Sequence, residues 1–217
     1  MKLLLTSSGL LNTHLEKDLL NMTGNKTNLK VAIIPTAGDP IEWLPVKEGD
    51  TMKNYIARLN GENEQHMHWI RSYQADWEKR GYSVVIADLK EDPIELRKKL
   101  ENVDIIDVTG GDVNWLLDWA KKSRLDTYLQ DILNTGVIYI GTSAGSMLVT
   151  PDIGLTWWEP DNKLDHIGLG IVDFLTVCHQ KEDDEQKNKE TLTKRREYIR
   201  TMSKYPPPKG VALAKRP

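Results

Sequence analysis

Val137-Ile138-Tyr139-Ile140-Gly141-Thr142-Ser143-Ala144-Gly145-Ser146-Met147 is the stretch whose reading decides the fold. Val137 to Ile140 are apolar and mostly β-branched, which reads as a buried strand. A turn of small residues follows, and Ser146-Met147-Leu148-Val149 can open a helix. Ser143 stands at the tip, between Gly141 and Gly145, in the pattern G-x-S-x-G. A strand, a cramped turn and a helix in that order make a nucleophile elbow, which lifts the serine oxygen clear of the backbone. Small neighbours are required because the turn is strained and a second group must approach it closely. The helix start just after the serine favours negative charge at that point. An ordinary βα turn built from Gly and Ser has the same spelling, so the rest of the chain must support the motif.

Working outward, apolar stretches at residues 2–5, 31–34, 82–89 and 104–108 read as strands. They alternate with helical patterns at residues 15–22, 62–80, 93–100, 113–120 and 125–134. This alternation implies an α/β fold, a mostly parallel sheet with helices on both faces. Pro93 suits a first helical position, Gly81 a helix stop and Asp112 an N-cap. Residues 39–60 resist assignment, because Pro40, Pro45 and Gly49 interrupt any long helix, and they read as a mobile active-site loop. After the elbow, residues 154–168 read as a long loop or short hairpin. A strand then runs within residues 168–179 and ends at His179. Residues 180–186 are a charged, solvated run, and 187–202 a helix. The Tyr205-Pro206-Pro207-Pro208 stretch is a linker before a strand at 210–213, after which the chain stops abruptly.

A length of 217 residues suits one domain covering residues 1–217. A formal net charge of -3 argues against a nucleic-acid partner held by bulk electrostatics. The one cysteine, Cys178, excludes an internal disulfide framework and a cysteine metal cluster. No apolar run approaches a membrane span, and the first five residues are too short for a signal peptide, so the expected address is the cytoplasm, with no membrane partner. The oligomeric state, monomer or homodimer, is left open.

A catalytic serine needs a base for its proton, normally a histidine. Of the five histidines, His14 falls on the first helix as a surface residue. His66 and His68 are two apart and make no i, i+4 metal pair. His166 sits in a polar loop and is the second candidate. His179 is the first: it ends an apolar strand, follows the serine in chain order, and stands where α/β enzymes place catalytic groups. An oxyanion needs preorganised backbone donors. The N–H of Ala144 is one candidate, and the Gly110-Gly111 pair, after a strand and before a helix, supplies the other.

Thr109-Gly110-Gly111-Asp112 before a helix, Gly141-Thr142-Ser143-Ala144-Gly145 on an elbow, and an apolar strand ending in His179 together resemble the aspartyl dipeptidase (dipeptidase E) and cyanophycinase family of serine peptidases. The resemblance runs from residue 2 to about residue 213. It implies a Rossmann-like α/β fold and hydrolysis of small peptides next to aspartate without metal or other cofactor. It further implies Ser143 as nucleophile, His179 as general base and the N–H groups of Gly111 and Ala144 as oxyanion hole, with Gly110 beside the substrate. A third triad member, an acid, falls among Glu159, Asp161 and Asp165, since Lys215 stands where the family can carry a C-terminal acid. Arg195, with Arg196 as neighbour, aligns with an arginine that holds the substrate aspartate. The context Cys178-His179-Gln180 departs from the family's Pro-His-Tyr or Pro-His-Phe. Trp157 and Trp158 could wall the cleft. Two other readings fit the same elbow: an esterase or amidase, and a non-catalytic binding module that keeps the fold. The distance between Ser143 and His179 separates the last from the others.

Overall fold

Successive side chains of a strand point to opposite faces, and the inner strands sort their residues accordingly. Ala32, Ile34, Ile106, Val108 and Tyr139 enter one buried core, while Val31, Ile33, Ile105, Ile138 and Ile140 enter a second. Strands buried on both faces read as near-continuous apolar runs, which is why the sequence marks them so clearly. The structure, a computed structural model, describes residues 1–11, 14–39, 49, 51–154, 167–179 and 210–213.

Five parallel strands, β1 (Lys2–Thr6), β2 (Lys30–Ile34), β3 (Ser83–Ile86), β4 (Ile105–Val108) and β5 (Ile138–Thr142), lie in the order β1-β5-β4-β2-β3. Helices α3 (Pro93–Glu101), α4 (Val113–Lys122), α5 (Leu125–Asn134) and α6 (Ala144–Leu148) supply the first core, and α1 (Leu15–Met22) and α2 (Met52–Glu78) the second. The expected α/β architecture with helices on both faces is therefore present. The strand following β2 lies to one side of it and β4 to the other. That reversal opens a crevice at the carboxyl edge, the usual ligand position of such sheets. A second, two-stranded parallel sheet joins β6 (Phe174–Val177) to β7 (Gly210–Leu213), so the last strand does find a partner.

Local chemistry sets the ends of the elements. Asp92 accepts from the N–H groups of Ile94 and Glu95, with Pro93 in the first turn of α3. Asp112 caps α4 by accepting from the Trp115 N–H at 2.9 Å, as its position in the sequence suggests. Gly81 follows α2 with φ +88°. Two expectations are corrected. Helix α2 starts at Met52, ten residues before the sequence places it, because the Thr51 hydroxyl caps the Asn54 N–H at 3.2 Å. Gly61 is tolerated inside it, where a Cβ would meet nothing within 4 Å. The strand before His179 ends at Val177, two residues early.

The second core contains a buried charge. Asp107, fully buried on β4, accepts from Tyr73 Oη at 2.7 Å and Trp77 Nε1 at 3.0 Å through Oδ2. Its Oδ1 has no hydrogen-bond partner among the described residues. Burial pushes the carboxyl pKa from 3.8 up to about 6, against the pull of the two hydrogen bonds. The folded protein thus holds this proton more tightly than the unfolded chain. The resulting stability is fully present below pH 3.8 and is lost as pH rises through about 6. Two pKa units correspond to roughly 3 kcal/mol. Asp107→Asn keeps an accepting oxygen and removes the charge. It is expected to be more stable than the wild type at pH 8, by up to about 3 kcal/mol, with the gap closing by pH 4. Urea unfolding of both proteins at the two pH values checks this.

Candidate active site

The elbow forms where the sequence puts it. β5 ends at Thr142, α6 starts at Ala144, and Ser143 between them has φ 48° and ψ -105°. A non-glycine residue there is strained and persists only where its surroundings hold it. The Ser143 N–H donates to the Thr6 carbonyl at 2.8 Å, and the N–H groups of Ser146 and Met147 converge on the Ser143 carbonyl at 2.9 and 3.1 Å. The Tyr139 hydroxyl, fully buried, donates to the Gly145 carbonyl at 2.6 Å. Ser146 is the structural serine. Its hydroxyl hydrogen faces the carbonyls of Gly141 and Thr6, at 2.6 and 2.8 Å, and its oxygen accepts from the Thr6 N–H at 2.9 Å.

Both motif glycines are needed for space rather than for φ. A Cβ on Gly141 would lie 2.7 Å from the Gly145 backbone, and one on Gly145 would lie 2.2 Å from the Val108 carbonyl oxygen. The helix of the elbow therefore sits directly on the end of β4.

His179 reaches this turn from the other side. Its Nε2 lies 2.8 Å from Ser143 Oγ, hydrogen-bond distance for a hydroxyl and an imidazole. The approach is guided by a ladder of contacts along the end of β6. Thr176 Oγ1 donates to the Ser146 carbonyl at 3.2 Å, Cys178 Sγ to the Ser143 carbonyl at 3.6 Å, and the His179 N–H to Ser7 Oγ at 3.1 Å. His179 has φ 59°, so the chain leaves strand geometry there and the ring turns toward the elbow. A hydroxyl so placed can pass its proton to the ring nitrogen, which is what a nucleophile needs.

Gly110 and Gly111 follow β4, and Gly110 packs against the elbow. A Cβ on Gly110 would be 3.2 Å from that of Ser143, and one on Gly111, where φ is +146°, would be 1.9 Å from the Ala37 carbonyl oxygen. The Asp112 N–H donates to the same Ala37 carbonyl at 2.7 Å. No backbone carbonyl among the described residues takes the Gly111 N–H. Ala144, as the first residue of α6, has no carbonyl one turn earlier to bond. Beside Gly110 opens a cleft of about 450 Å³, lined also by Gly38, Asp39, Glu62, Gln65, His66 and Trp69. Asp39, buried at its floor, holds Lys90 Nζ at 2.7 Å, Trp115 Nε1 at 2.8 Å and His66 Nε2 at 3.5 Å. Burial lowers the His66 pKa against the attraction of Asp39.

The structure thus brings Ser143, Ala144, Gly110, Gly111 and His179 together. Glu159, Asp161, Asp165, His166, Arg195, Arg196 and the Trp157-Trp158 pair lie outside the described residues. An antiparallel bridge pairs Asp152 with Ile167, one on either side of the stretch of sequence that carries the three acids. Sequence reasoning did not single out Ser7 or Asp39 as neighbours of the site, and it set His66 aside after weighing it as one of the five histidines. Ser7 and Asp39 do follow apolar strands at the carboxyl edge, the available signal. His66 comes from a helix with no such mark. Among the described residues no group of three His, Cys, Asp or Glu side chains could hold a metal, and no helix is long and apolar enough to cross a membrane.

A parallel α/β sheet with a serine on a strand-to-helix elbow and a histidine against it defines a serine-hydrolase-like class. The model of peptidase family S51 matches residues 3–215. The chain belongs to peptidase family S51, the dipeptidase E and cyanophycinase family of serine peptidases. It is 28% identical over 122 residues to "Uncharacterized peptidase Lin0382" of Listeria innocua, covering 54% of this chain and 58% of that protein. It is equally similar to "Uncharacterized peptidase Lmo0363" of Listeria monocytogenes, of which it spans 60%. A crystal structure titled "Putative Peptidase E Protein", from Listeria monocytogenes EGD-e, superposes with a TM-score of 0.61 at 25% identity, over 89% of this chain and 87% of that one. A peptidase from an acI-B1 Actinobacterium shares the fold, with a TM-score of 0.56 at 18% identity over 88% and 74% of the two chains.

Proposed function

We propose that this protein hydrolyses small peptides through a serine nucleophile, with preference for aspartate on the acyl side of the scissile bond. The observation that carries the reading is the 2.8 Å contact between Ser143 Oγ and His179 Nε2, made by two residues that both hold positive φ. It weighs against a non-catalytic module, for which nothing requires those two side chains to meet. Ser143 Oγ attacks the scissile carbonyl carbon while His179 takes its proton. The N–H groups of Gly111 and Ala144 hold the resulting oxyanion, and Gly110 leaves room for the substrate. The C–N bond breaks as His179 returns the proton to the leaving amine. Water then gives a proton to His179 and attacks the acyl carbonyl, and the acyl–Oγ bond breaks as His179 passes that proton to Ser143 Oγ. The third member is a carboxylate of the loop after Asp152, with Glu159 and Asp161 first and Asp165 beside them. Arg195 binds the substrate aspartate. The reaction draws on no metal or other cofactor. The reading takes residues 1–217 as one domain in the cytoplasm, acting on a peptide partner alone.

A panel of free dipeptides with and without N-terminal Asp, alongside matched esters and simple amides, tests the proposal. Dipeptides are expected to be cleaved well above a Ser143→Ala control, and those beginning with Asp at least about tenfold faster than their Ala counterparts. Turnover of esters or amides alone would move the protein to another hydrolase class.

A further inference from the structure

Both halves of the Ser143–His179 pair are tied to the same short piece of chain, the carboxyl end of β1. The Thr6 carbonyl accepts from the Ser143 N–H at 2.8 Å and faces the Ser146 hydroxyl at 2.8 Å. The next residue, Ser7, is fully buried, and its Oγ accepts from the His179 N–H at 3.1 Å. We infer that Ser7 is a positioning residue: its hydroxyl fixes the His179 backbone so that the imidazole meets the Ser143 oxygen. The inference rests on the pair having the roles given above.

The physical need for such a group is clear. His179 holds φ 59°, a conformation that an L residue with a Cβ adopts only under constraint. β6 ends at Val177, two residues before His179. Thr176 and Cys178 hold the approach through Ser146 and Ser143, but Ser7 acts on the backbone of His179 itself. The acceptor of the Ser143 N–H, Thr6, and the acceptor of the His179 N–H, Ser7, are consecutive residues, the last of β1 and the first after it. The two ends of the proton-transfer distance are therefore referenced to one rigid strand rather than to each other through loops. Loss of the hydroxyl removes this tether on the His179 backbone, and misplacement by an ångström is costly for a step that needs close contact.

The test reads the pair directly. The His179 ring nitrogens are followed by NMR in the full chain, with and without Ser143→Ala, in wild-type, Ser7→Ala, Ser7→Cys and Ser7→Thr backgrounds. Ser143→Ala is expected to shift the His179 signal in the wild type, and by less than about half as much with Ser7→Ala or Ser7→Cys. Kinetics on the best peptide are expected to show kcat lowered about tenfold in both, KM within about twofold, and recovery with Ser7→Thr, which keeps the accepting oxygen. Ser7→Cys leaves no cavity, replaces the oxygen by a weak acceptor, and carries the test if the alanine variant does not fold. An unchanged Ser143-dependent shift, or a wild-type kcat in Ser7→Ala, overturns the inference. A wild type that cleaves no peptide, with the shift still lost in Ser7→Ala, leaves the positioning role standing and removes the peptidase reading instead.

Discussion

Ser143→Ala is expected to lower peptide cleavage by about 10⁴-fold or more while leaving the melting curve in place. The hydroxyl removed is the one facing His179 Nε2 at 2.8 Å, on the exposed side of the elbow. The substitution keeps the Cβ, the turn and the backbone hydrogen bonds of residue 143 to Thr6, Ser146 and Met147. What disappears is the oxygen proposed to attack the substrate, and the proposed oxyanion donors and binding contacts are not expected to replace it. Ser146→Ala makes the contrast. That serine is fully buried and its hydroxyl joins Thr6 to Gly141. Its loss leaves buried backbone groups unpaired, with an expected cost of about 1–3 kcal/mol. Two serines three positions apart in the same motif are thus separable by experiment, one through rate and the other through stability. Kinetics and thermal melts of the two variants measure this.

The second large effect is expected at Gly111. A Cβ there would lie 1.9 Å from the Ala37 carbonyl oxygen and 2.3 Å from its carbon, at a φ of +146°. No rotation of a side chain relieves a collision with backbone, so the loop after β2 or the loop after β4 must move. Gly111→Ala is expected to cost about 3 kcal/mol or more. In whatever remains folded, the Gly111 N–H, the proposed oxyanion donor, is displaced with its loop, and cleavage is expected to fall a further ~10²–10³-fold, the usual effect of losing one such donor. Gly24→Ala serves as the control, since a Cβ there meets nothing within 4 Å at φ +64°. Its cost is expected near 1 kcal/mol, with activity unchanged. Urea unfolding and steady-state rates of both variants separate the two cases.

The parts of the architecture that could be read from sequence are those governed by short-range rules. Strands buried on both faces announce themselves as apolar runs, and Asp92 and Asp112 cap their helices through hydrogen bonds spanning two or three residues. The Ser143–His179 pairing was accessible because each residue follows an apolar strand, although β6 belongs to the second sheet and not to the one that ends in Ser143. Other features depend on contacts between distant segments. The Gly145 requirement comes from Val108, and Ser7 meets His179 across 172 positions. Neither has a local signature. The start of α2 was hidden for another reason. Prolines at 40 and 45 and Gly49 suggested broken structure as far as Asn60, although Thr51 begins a new helix immediately afterwards. Asp107 belongs to the same group as Ser7. An acid within Ile105-Ile106-Asp107-Val108 looks like an interruption of a strand, and only α2, packed against the sheet, supplies Tyr73 and Trp77 to receive it.

The central claim is that the Ser143 oxygen is activated by His179. Its most direct measurement is the rate and position of labelling by a fluorophosphonate, read by intact mass and peptide mapping in wild type and in His179→Gln. One adduct on Ser143 is expected, forming at least about 10³-fold more slowly in the glutamine variant. An adduct elsewhere, no adduct at all, or equal rates in the two proteins would contradict the account.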